Sequence, residues 1–208
     1  MNLKNALLLL TLLAGTTSLA QAQTAIPAGT TSLGGSIGYS RHTESQGQDV
    51  VTSQFRVAPS AGFFVADNLA VGINLNYSAG RTTISNYPEN NLDAATSLRV
   101  GPYVQYYKML SEQFGFLGTL GAGYQRSFTP TYTDPVTSLN VTRSGYYASL
   151  TPGVVFFPVP KFGISASVGY LGYDHVNVQP SASQTVSNFG ASFGLDQLTF
   201  GGTFYFGR

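Results

Sequence analysis

Three arginines and two histidines are the residues of this chain whose types could do chemistry. Arg56, Arg99 and Arg143 stand among small and polar neighbours that alternate with large apolar residues. Guanidinium groups bind carboxylates and phosphates through paired hydrogen bonds, so these positions could hold an anion or an internal ion pair. His42 and His175 could act as general bases only with a nucleophile and an orienting carboxylate in reach. We interpret both histidines as solvated loop residues.

No other pattern in the chain points to catalysis or to a metal. Cys is absent, which excludes disulfides and thiolate ligands, and two scattered histidines make no metal cluster. Phosphate-binding loops, dinucleotide fingerprints, His-Glu-x-x-His and calcium loops do not occur. The net charge of +1 gives no broad electrostatic reason to bind nucleic acid. We therefore expect no catalytic residue, no metal, no cofactor and no nucleic-acid partner.

The elements that carry these residues have a sequence period of two. In residues 69–78, small or polar residues alternate with the apolar Leu69, Val71, Ile73, Leu75 and Tyr77. This pattern is typical of a β-strand with one apolar and one polar face. Seven further segments alternate in the same way, near residues 32–40, 54–65, 97–106, 116–125, 143–156, 162–170 and 198–206. Each is near the ~10 residues that a tilted strand needs to cross a bilayer.

The connections between these segments alternate in length. Short turns are predicted at residues 66–68, 111–113 and 159–161, and long polar loops at 41–52, 79–94, 128–141 and 174–186. Three short turns and four long loops are what an eight-stranded barrel requires when both chain ends lie on the short-turn side. Residues 187–195 also have a strand-like pattern, which would extend the last hairpin above the membrane.

The first residues read as an export signal. Lys4 is followed by an apolar run from Ala6 to Ala14, and Ala20-Gln21-Ala22 has the small-x-small pattern of a cleavage site. We predict a signal peptide over residues 1–22 and one domain over 23–208. Only 9% of the residues are Asp, Glu, Lys or Arg, against about 25% in soluble globular proteins.

Low charge, export and period-two segments together predict an all-β fold in the cell outer membrane. Elsewhere the chain has no apolar run long enough to span as a helix, and a closed barrel is the other fold that pairs every backbone group in lipid. We predict an eight-stranded antiparallel up-and-down transmembrane β-barrel with short periplasmic turns and four longer outer loops. A soluble β-sandwich with an aromatic core is the alternative, but it leaves the low charge and the signal peptide unexplained.

The register of the segments assigns aromatic residues to both faces of this barrel. Those on the apolar face would form interfacial girdles against lipid: Tyr39, Phe63, Tyr77, Tyr106, Phe116, Tyr124, Tyr146, Phe156, Phe162, Tyr170 and Phe206. Bulky residues on the polar face would fill the lower lumen, because eight strands leave room only for side chains: Phe64, Tyr103, Tyr107, Leu117, Phe157 and Tyr205.

Two interpretations of Arg56, Arg99 and Arg143 follow from their place in the lumen-facing register. Near the loop ends of their strands they could form a basic ring that contacts an anion or a lipopolysaccharide phosphate, or that acts as a gate. They could instead pair with loop carboxylates such as Glu44, Asp49 or Asp93. We favour internal pairing, because buried charges need partners.

Two stretches resemble a known family. Residues 63–72, Phe-Phe-Val-Ala-Asp-Asn-Leu-Ala-Val-Gly, resemble the first periplasmic hairpin of the small outer-membrane β-barrel proteins, the porin or outer membrane beta-barrel group common in Bacteroidetes-type bacteria. Residues 198–206 resemble the last strand of that group, which is its assembly signal. The resemblance implies an outer-membrane location, contact with outer-membrane lipid and lipopolysaccharide, and recognition of the last strand by the barrel-assembly machinery. We expect a monomer.

Three functions stay open. The first is a structural or surface-interaction role with a plugged lumen, in which the loops serve adhesion or envelope integrity. The second is a narrow porin-like channel for small solutes or anions. The third is a lipid-modifying barrel enzyme, although the His-x-Ser element of lipid A deacylase barrels is replaced here by His42-Thr43-Glu44 and His175-Val176-Asn177.

Overall fold

A computed structural model describes residues 25–45, 49–84, 94–134, 137–179, 184–194 and 198–208. The predicted signal peptide, residues 1–22, lies outside these ranges. The described residues form ten strands: β1 Thr31–Ser45, β2 Asp49–Ala66, β3 Leu69–Ile84, β4 Ala95–Met109, β5 Phe114–Asp134, β6 Thr137–Val159, β7 Phe162–Val168, β8 Tyr170–Gln179, β9 Gln184–Ser192 and β10 Leu198–Phe206. Over the same ranges, no helix is long and apolar enough to cross a membrane.

The strands close into an antiparallel barrel. Each of β1 to β6 pairs with the next, β7 pairs with β6 and β10, and β10 pairs with β1. β7 and β8 are one strand interrupted at Gly169, and β9 and β10 together make the last one. Eight strands therefore run around the barrel, as the sequence predicts, and β8 and β9 are the extra pieces that rise above the closed ring.

The strands continue into all four predicted long loops, which are therefore shorter than the sequence predicts. β5 runs to Asp134 and β6 begins at Thr137, inside the predicted loop 128–141. β8 and β9 occupy most of the predicted loop 174–186. The β-branched residues Thr and Val favour strands outside lipid as well as inside it. A hydrophobic period marks mainly the part of a strand that has an apolar side to bury, so the extensions escaped prediction apart from the strand-like pattern at residues 187–195.

The interruption between β7 and β8 has a local cause. Gly169 has a φ of +66°, and a Cβ at this position would collide with the carbonyl oxygen of Ser192. Only glycine adopts this backbone without strain. Above Gly169, β8 pairs with β6 on one side and with β9 on the other. The β8–β9 hairpin therefore departs from the line that β7 and β10 follow below it.

The first and last strands of the barrel are paired along only part of their length. β1 pairs with β2 along its whole length, from Thr31 to Ser45, but with β10 only from Thr31 to Ser36. Above Ser36, the described residues give β1 no partner on its β10 side. β9 likewise pairs with β8 alone. Two strand edges are therefore open in the upper part of the molecule.

The apolar faces of the strands point outward, as expected for a barrel in lipid. Leu33, Ile73 and Leu120 are more than half exposed in the isolated chain. Ten of the predicted girdle aromatics lie on this outer face. Tyr170 is the exception: its ring lies against the inner side of Gly172, because the bend at Gly169 shifts the alternation by one residue.

The core lies inside the lower barrel instead of between two layers. A cluster of buried residues fills this part of the lumen: Ile26, Phe64, Ala70, Tyr107, Met109, Leu117, Val155, Phe157 and Tyr205. Close packing of apolar side chains excludes water, which would otherwise enter an open barrel. The fold thus separates a packed lower lumen from a polar upper lumen.

Candidate functional site: the lumen and its outer mouth

Four aromatic rings form the centre of the lower lumen. Phe64, Tyr107, Phe157 and Tyr205 come from β2, β4, β6 and β10, and each is at most 2% exposed. The centroid of the Tyr205 ring lies 5.1 Å from that of Phe157, 6.1 Å from Phe64 and 6.3 Å from Tyr107. Tilted and edge-on arrangements at these distances are favourable for aromatic pairs. The rings tie four strands together across the barrel.

The buried tyrosine hydroxyls have partners, which lets polar atoms sit in this core. The Tyr107 hydroxyl donates to Oε1 of Gln105 at 2.7 Å and lies 3.0 Å from the Tyr205 hydroxyl. Gln105 in turn donates from Nε2 to the Thr119 hydroxyl at 2.9 Å. A buried hydroxyl without a partner would cost about 1–3 kcal/mol, so this chain of hydrogen bonds stabilises the packing.

The residues just before β1 close the lower end of the barrel. Ile26 is fully buried in the lumen cluster. Its N–H donates to Oδ1 of Asn68, and its carbonyl accepts from the Asn68 N–H, both at 2.9 Å. Asn68 has a φ of +62°, a turn conformation that Asn tolerates well. The turn between β2 and β3 therefore holds Ile26 in place beneath the aromatic rings.

Arg208 covers the same end from the other terminus. Its guanidinium carbon lies 3.6 Å from the centroid of the Phe157 ring, and Nη2 donates to the Glu112 carbonyl at 3.2 Å. Burial lowers the pKa of the Arg208 guanidinium, and the nearby Tyr205 and Tyr107 act in the opposite direction. The cation stacks on the aromatic core and links β10 to the turn between β4 and β5.

A polar cavity of about 180 Å³ lies above the aromatic rings. Hydroxyl groups dominate its wall, and the lining side chains carry no charge: Ser32, Ser36, Ser60, Asn74, Tyr103, Gln105, Thr119, Ser165, Ser167, Thr199 and Thr203. Tyr103, at 6% exposure, stands against Gly62 and Gly72 at the floor. Such a surface can hydrogen-bond water or a neutral polar solute.

An ion pair crosses the lumen above this cavity. Nη2 of Arg99 on β4 donates to Oδ1 of Asp174 on β8 at 3.2 Å, and Nε2 of Gln125 donates to the same oxygen at 2.8 Å. The Arg99 guanidinium lies 5.2 Å from the centroid of the Tyr147 ring. The Tyr147 hydroxyl reaches Oδ1 of Asn74 on β3 at 3.4 Å. These contacts join strands that are not neighbours and narrow the upper lumen.

The closed barrel with its outward apolar face is the geometry of a known family. The model of the outer membrane protein beta-barrel domain matches residues 6–201. The chain belongs to this family. Members of the outer membrane protein beta-barrel family reside in the outer membrane, which places this protein there and agrees with its apolar outer surface.

Several solved structures are similar to this chain at low sequence identity. The outer membrane protein OprG of Pseudomonas aeruginosa superposes with a TM-score of 0.53 at 12% identity, over 88% of this chain and 98% of that one. Ail, the attachment invasion locus protein of Yersinia pestis, gives 0.44 at 17% identity, over 86% and 99% of the two chains. The N-terminal β-barrel domain of Pseudomonas aeruginosa OprF gives 0.39 at 12%, over 86% and 98%. No curated protein matches the chain.

The structure places the three lumen arginines of this family member in different surroundings. Arg99 pairs with Asp174, and Glu44, Asp49 and Asp93 cannot be compared because their side chains lie outside the described part of the molecule. Arg56 stands opposite Gly38 and Ser78, and Arg143 opposite Ser127 and Val178. Both are exposed. The ion pair thus engages one of the three arginines at the mouth.

Five of the six residues predicted to fill the lumen belong to the buried cluster, and Tyr103 lies at the floor of the cavity above it. Phe64, Tyr103, Tyr107, Leu117, Phe157 and Tyr205 are all at most 6% exposed. Sequence reasoning missed Ile26, Met109 and Arg208. Ile26 precedes the alternating segments and Arg208 follows them, so neither lies in a pattern that predicts burial.

The histidines lie on opposite sides of the wall. His42 belongs to the inward register of β1. His175 faces outward, and its Nδ1 lies 2.9 Å from the Ser187 hydroxyl on β9. The adjacent Asp174 points into the lumen, so it does not orient the His175 ring. The described residues contain no group of three or more His, Asp or Glu side chains able to hold a metal.

Proposed function

We propose that this protein is a non-conducting outer-membrane barrel that presents a β-sheet at the cell surface for interaction with a partner. The packed lower lumen supports the first part of this proposal, that the barrel does not conduct. Four buried rings, supported from below by Ile26 and Arg208, fill the lower lumen and would interrupt a polar path along the barrel axis. Charged or polar solutes would have to cross an apolar layer, which is costly.

The sheet that rises above the barrel supports the second half. β5 continues from the outer girdle residue Tyr124 to Asp134, about 30 Å farther along the strand at about 3.3 Å per residue. β6, β8 and β9 pair beside it. This four-stranded extension is longer than a membrane anchor needs, and it would project from the outer surface.

The edge of this sheet is suited to strand addition. β9, Gln184–Ser192, contains no charged residue and no proline, although edge strands usually carry such residues to prevent pairing with other chains. Phe189 is 70% exposed and Val186 is 46% exposed. An extended segment of a partner could pair with the open β9 edge and cover these side chains.

Single-channel conductance of the folded chain in a planar bilayer tests the lumen. Folding is first verified by the mobility shift of unheated samples on a gel. We expect no current steps above the lipid baseline from the wild type. Steps from the wild type would overturn the proposal.

A narrow channel is the second candidate, favoured by the polar cavity of about 180 Å³ above the rings. If the protein is such a channel, we expect anion-selective current steps that disappear when Arg99 and Arg143 are both replaced by Ala. We propose no enzymatic role, because none of the carboxylates that the structure describes orients the His175–Ser187 pair.

Surface presentation has its own test, which the absence of native Cys makes simple. A single Asn188→Cys variant places a thiol on β9, and Gln113→Cys places one in the turn at the opposite end. A membrane-impermeant maleimide should label the first on intact cells and the second only after permeabilisation. The reverse pattern would show that the extended sheet does not face outward.

A further inference from the structure

Two arginines on the outer face of the barrel flank the same serine, which lies on the strand between them. Arg41 on β1 and Arg81 on β3 both stand directly opposite Ser53 on β2. All three lie in the outward register of their strands. Because adjacent strands are about 4.8 Å apart, the two arginines are separated by about 10 Å across the sheet. Long side chains on this spacing can turn toward one group held over the serine.

The side chains of this row are available to a ligand outside the barrel. Arg41 and Arg81 are exposed, and Ser53 is half-buried. The Tyr39 hydroxyl lies 3.5 Å from Oγ of Ser53, which fixes the serine hydroxyl on the outer face. The site therefore offers two guanidinium groups and a hydroxyl on one exposed patch.

Apolar side chains line the wall directly below the row. Tyr39, Phe55 and Tyr77 are 68%, 41% and 37% exposed on the same outer face. Aromatic residues in barrels mark the boundary between the lipid tails and the headgroups. The arginines thus stand at headgroup level, above a surface that faces acyl chains.

The positive charge of the row has no described counterpart. Among the residues whose side chains the structure describes, the carboxylates are Asp67, Glu112 and Asp174. The first two lie in turns at the other end of the barrel, and Asp174 accepts from Arg99 inside the lumen. An exposed pair of like charges is unfavourable unless an anion neutralises it.

We propose that Arg41, Ser53 and Arg81 bind the phosphate group of an outer-leaflet lipid, whose acyl chains lie along the aromatic wall beneath. Guanidinium groups bind phosphate through paired, charge-assisted hydrogen bonds, and the serine hydroxyl supplies a third donor. The aromatic wall favours a lipid over a soluble anion, because it supplies apolar contact where acyl chains would run. This site lies outside the barrel and does not depend on whether the lumen conducts.

Native mass spectrometry of the folded chain in a non-ionic detergent tests the site, with diphosphoryl lipid A and its dephosphorylated form as probes. The test variant is Arg41→Ala with Arg81→Ala. The matched control is Lys108→Ala with Lys161→Ala, which removes the same charge from exposed positions near the turns at the opposite end of the barrel. Gel mobility verifies that each variant folds, and Arg41→Lys with Arg81→Lys keeps the charge if the alanine pair does not fold.

We expect the test variant to bind diphosphoryl lipid A at least about tenfold more weakly than the wild type, and the control to stay within about twofold. The lysine pair should bind with intermediate strength, because an ammonium lacks the paired geometry. Equal losses in test and control variants would overturn the proposal. So would equal binding of the dephosphorylated lipid, or soluble pyrophosphate binding as tightly as the lipid.

Discussion

Replacing Tyr205 with Ala removes the ring on which the lower lumen is built. Tyr205 is 2% exposed and contacts Phe64, Tyr107 and Phe157 with centroid distances between 5.1 and 6.3 Å. Truncation of a buried aromatic side chain costs about 3–5 kcal/mol, through lost contacts and the cavity that remains. The Tyr107 hydroxyl keeps Gln105 as a partner, so no further cost arises from an unpaired polar atom.

Two other variants separate packing from hydrogen bonding. Tyr205→Phe keeps the ring and loses the hydroxyl with its contact to Tyr107, so about 1 kcal/mol is expected. Phe200→Ala is the matched control on the same strand, because Phe200 is 61% exposed on the outer face. Lipid tails fill the space that Phe200 leaves, and its truncation should cost less than about 2 kcal/mol.

The free energy of unfolding is measured by guanidinium titration in phospholipid vesicles, followed by far-UV circular dichroism and by gel mobility. Tryptophan fluorescence gives no signal, because the chain contains no Trp. The expected order of destabilisation is Tyr205→Ala, then Phe200→Ala and Tyr205→Phe. If Tyr205→Ala costs no more than Phe200→Ala, the lower lumen is not a packed core, and the reasoning about plugging fails with it.

Two further predictions concern the upper half of the barrel. Arg99→Ala should lower the free energy of unfolding by about 1–2 kcal/mol, because it leaves the half-buried Asp174 carboxylate without its cation. Adding Asp174→Asn to this variant should recover part of the loss, measured in the same titration. Gly169→Ala should cost about 2 kcal/mol or more of stability, because the alanine Cβ at φ +66° would collide with the Ser192 carbonyl oxygen. Gly190→Ala is the control: it has open space around it and should cost about 1 kcal/mol or less. Equal effects at the two glycines would argue against a required bend at Gly169.

The period of two in the sequence was sufficient to predict the barrel and the direction of most side chains. A strand in this fold faces lipid on one side and a narrow lumen on the other, so the size and polarity of each residue indicate which side it faces. This is why Phe64 and Tyr107, though aromatic, were assigned to the lumen, and why they are buried there. The same logic failed at Tyr170, because a single glycine shifted the alternation.

Contacts across the barrel depended on the tertiary structure. Arg99 and Asp174 are 75 residues apart, and Tyr107 and Tyr205 are 98 apart; each pair meets because closure of the sheet and its register bring non-adjacent strands to one height. Arg41 and Arg81 fall in segments that the sequence predicts as loops, and only strand register places both on the outer face opposite Ser53. Ile26 and Arg208 acquired their roles in the same way, since the space they fill exists only once the barrel has closed.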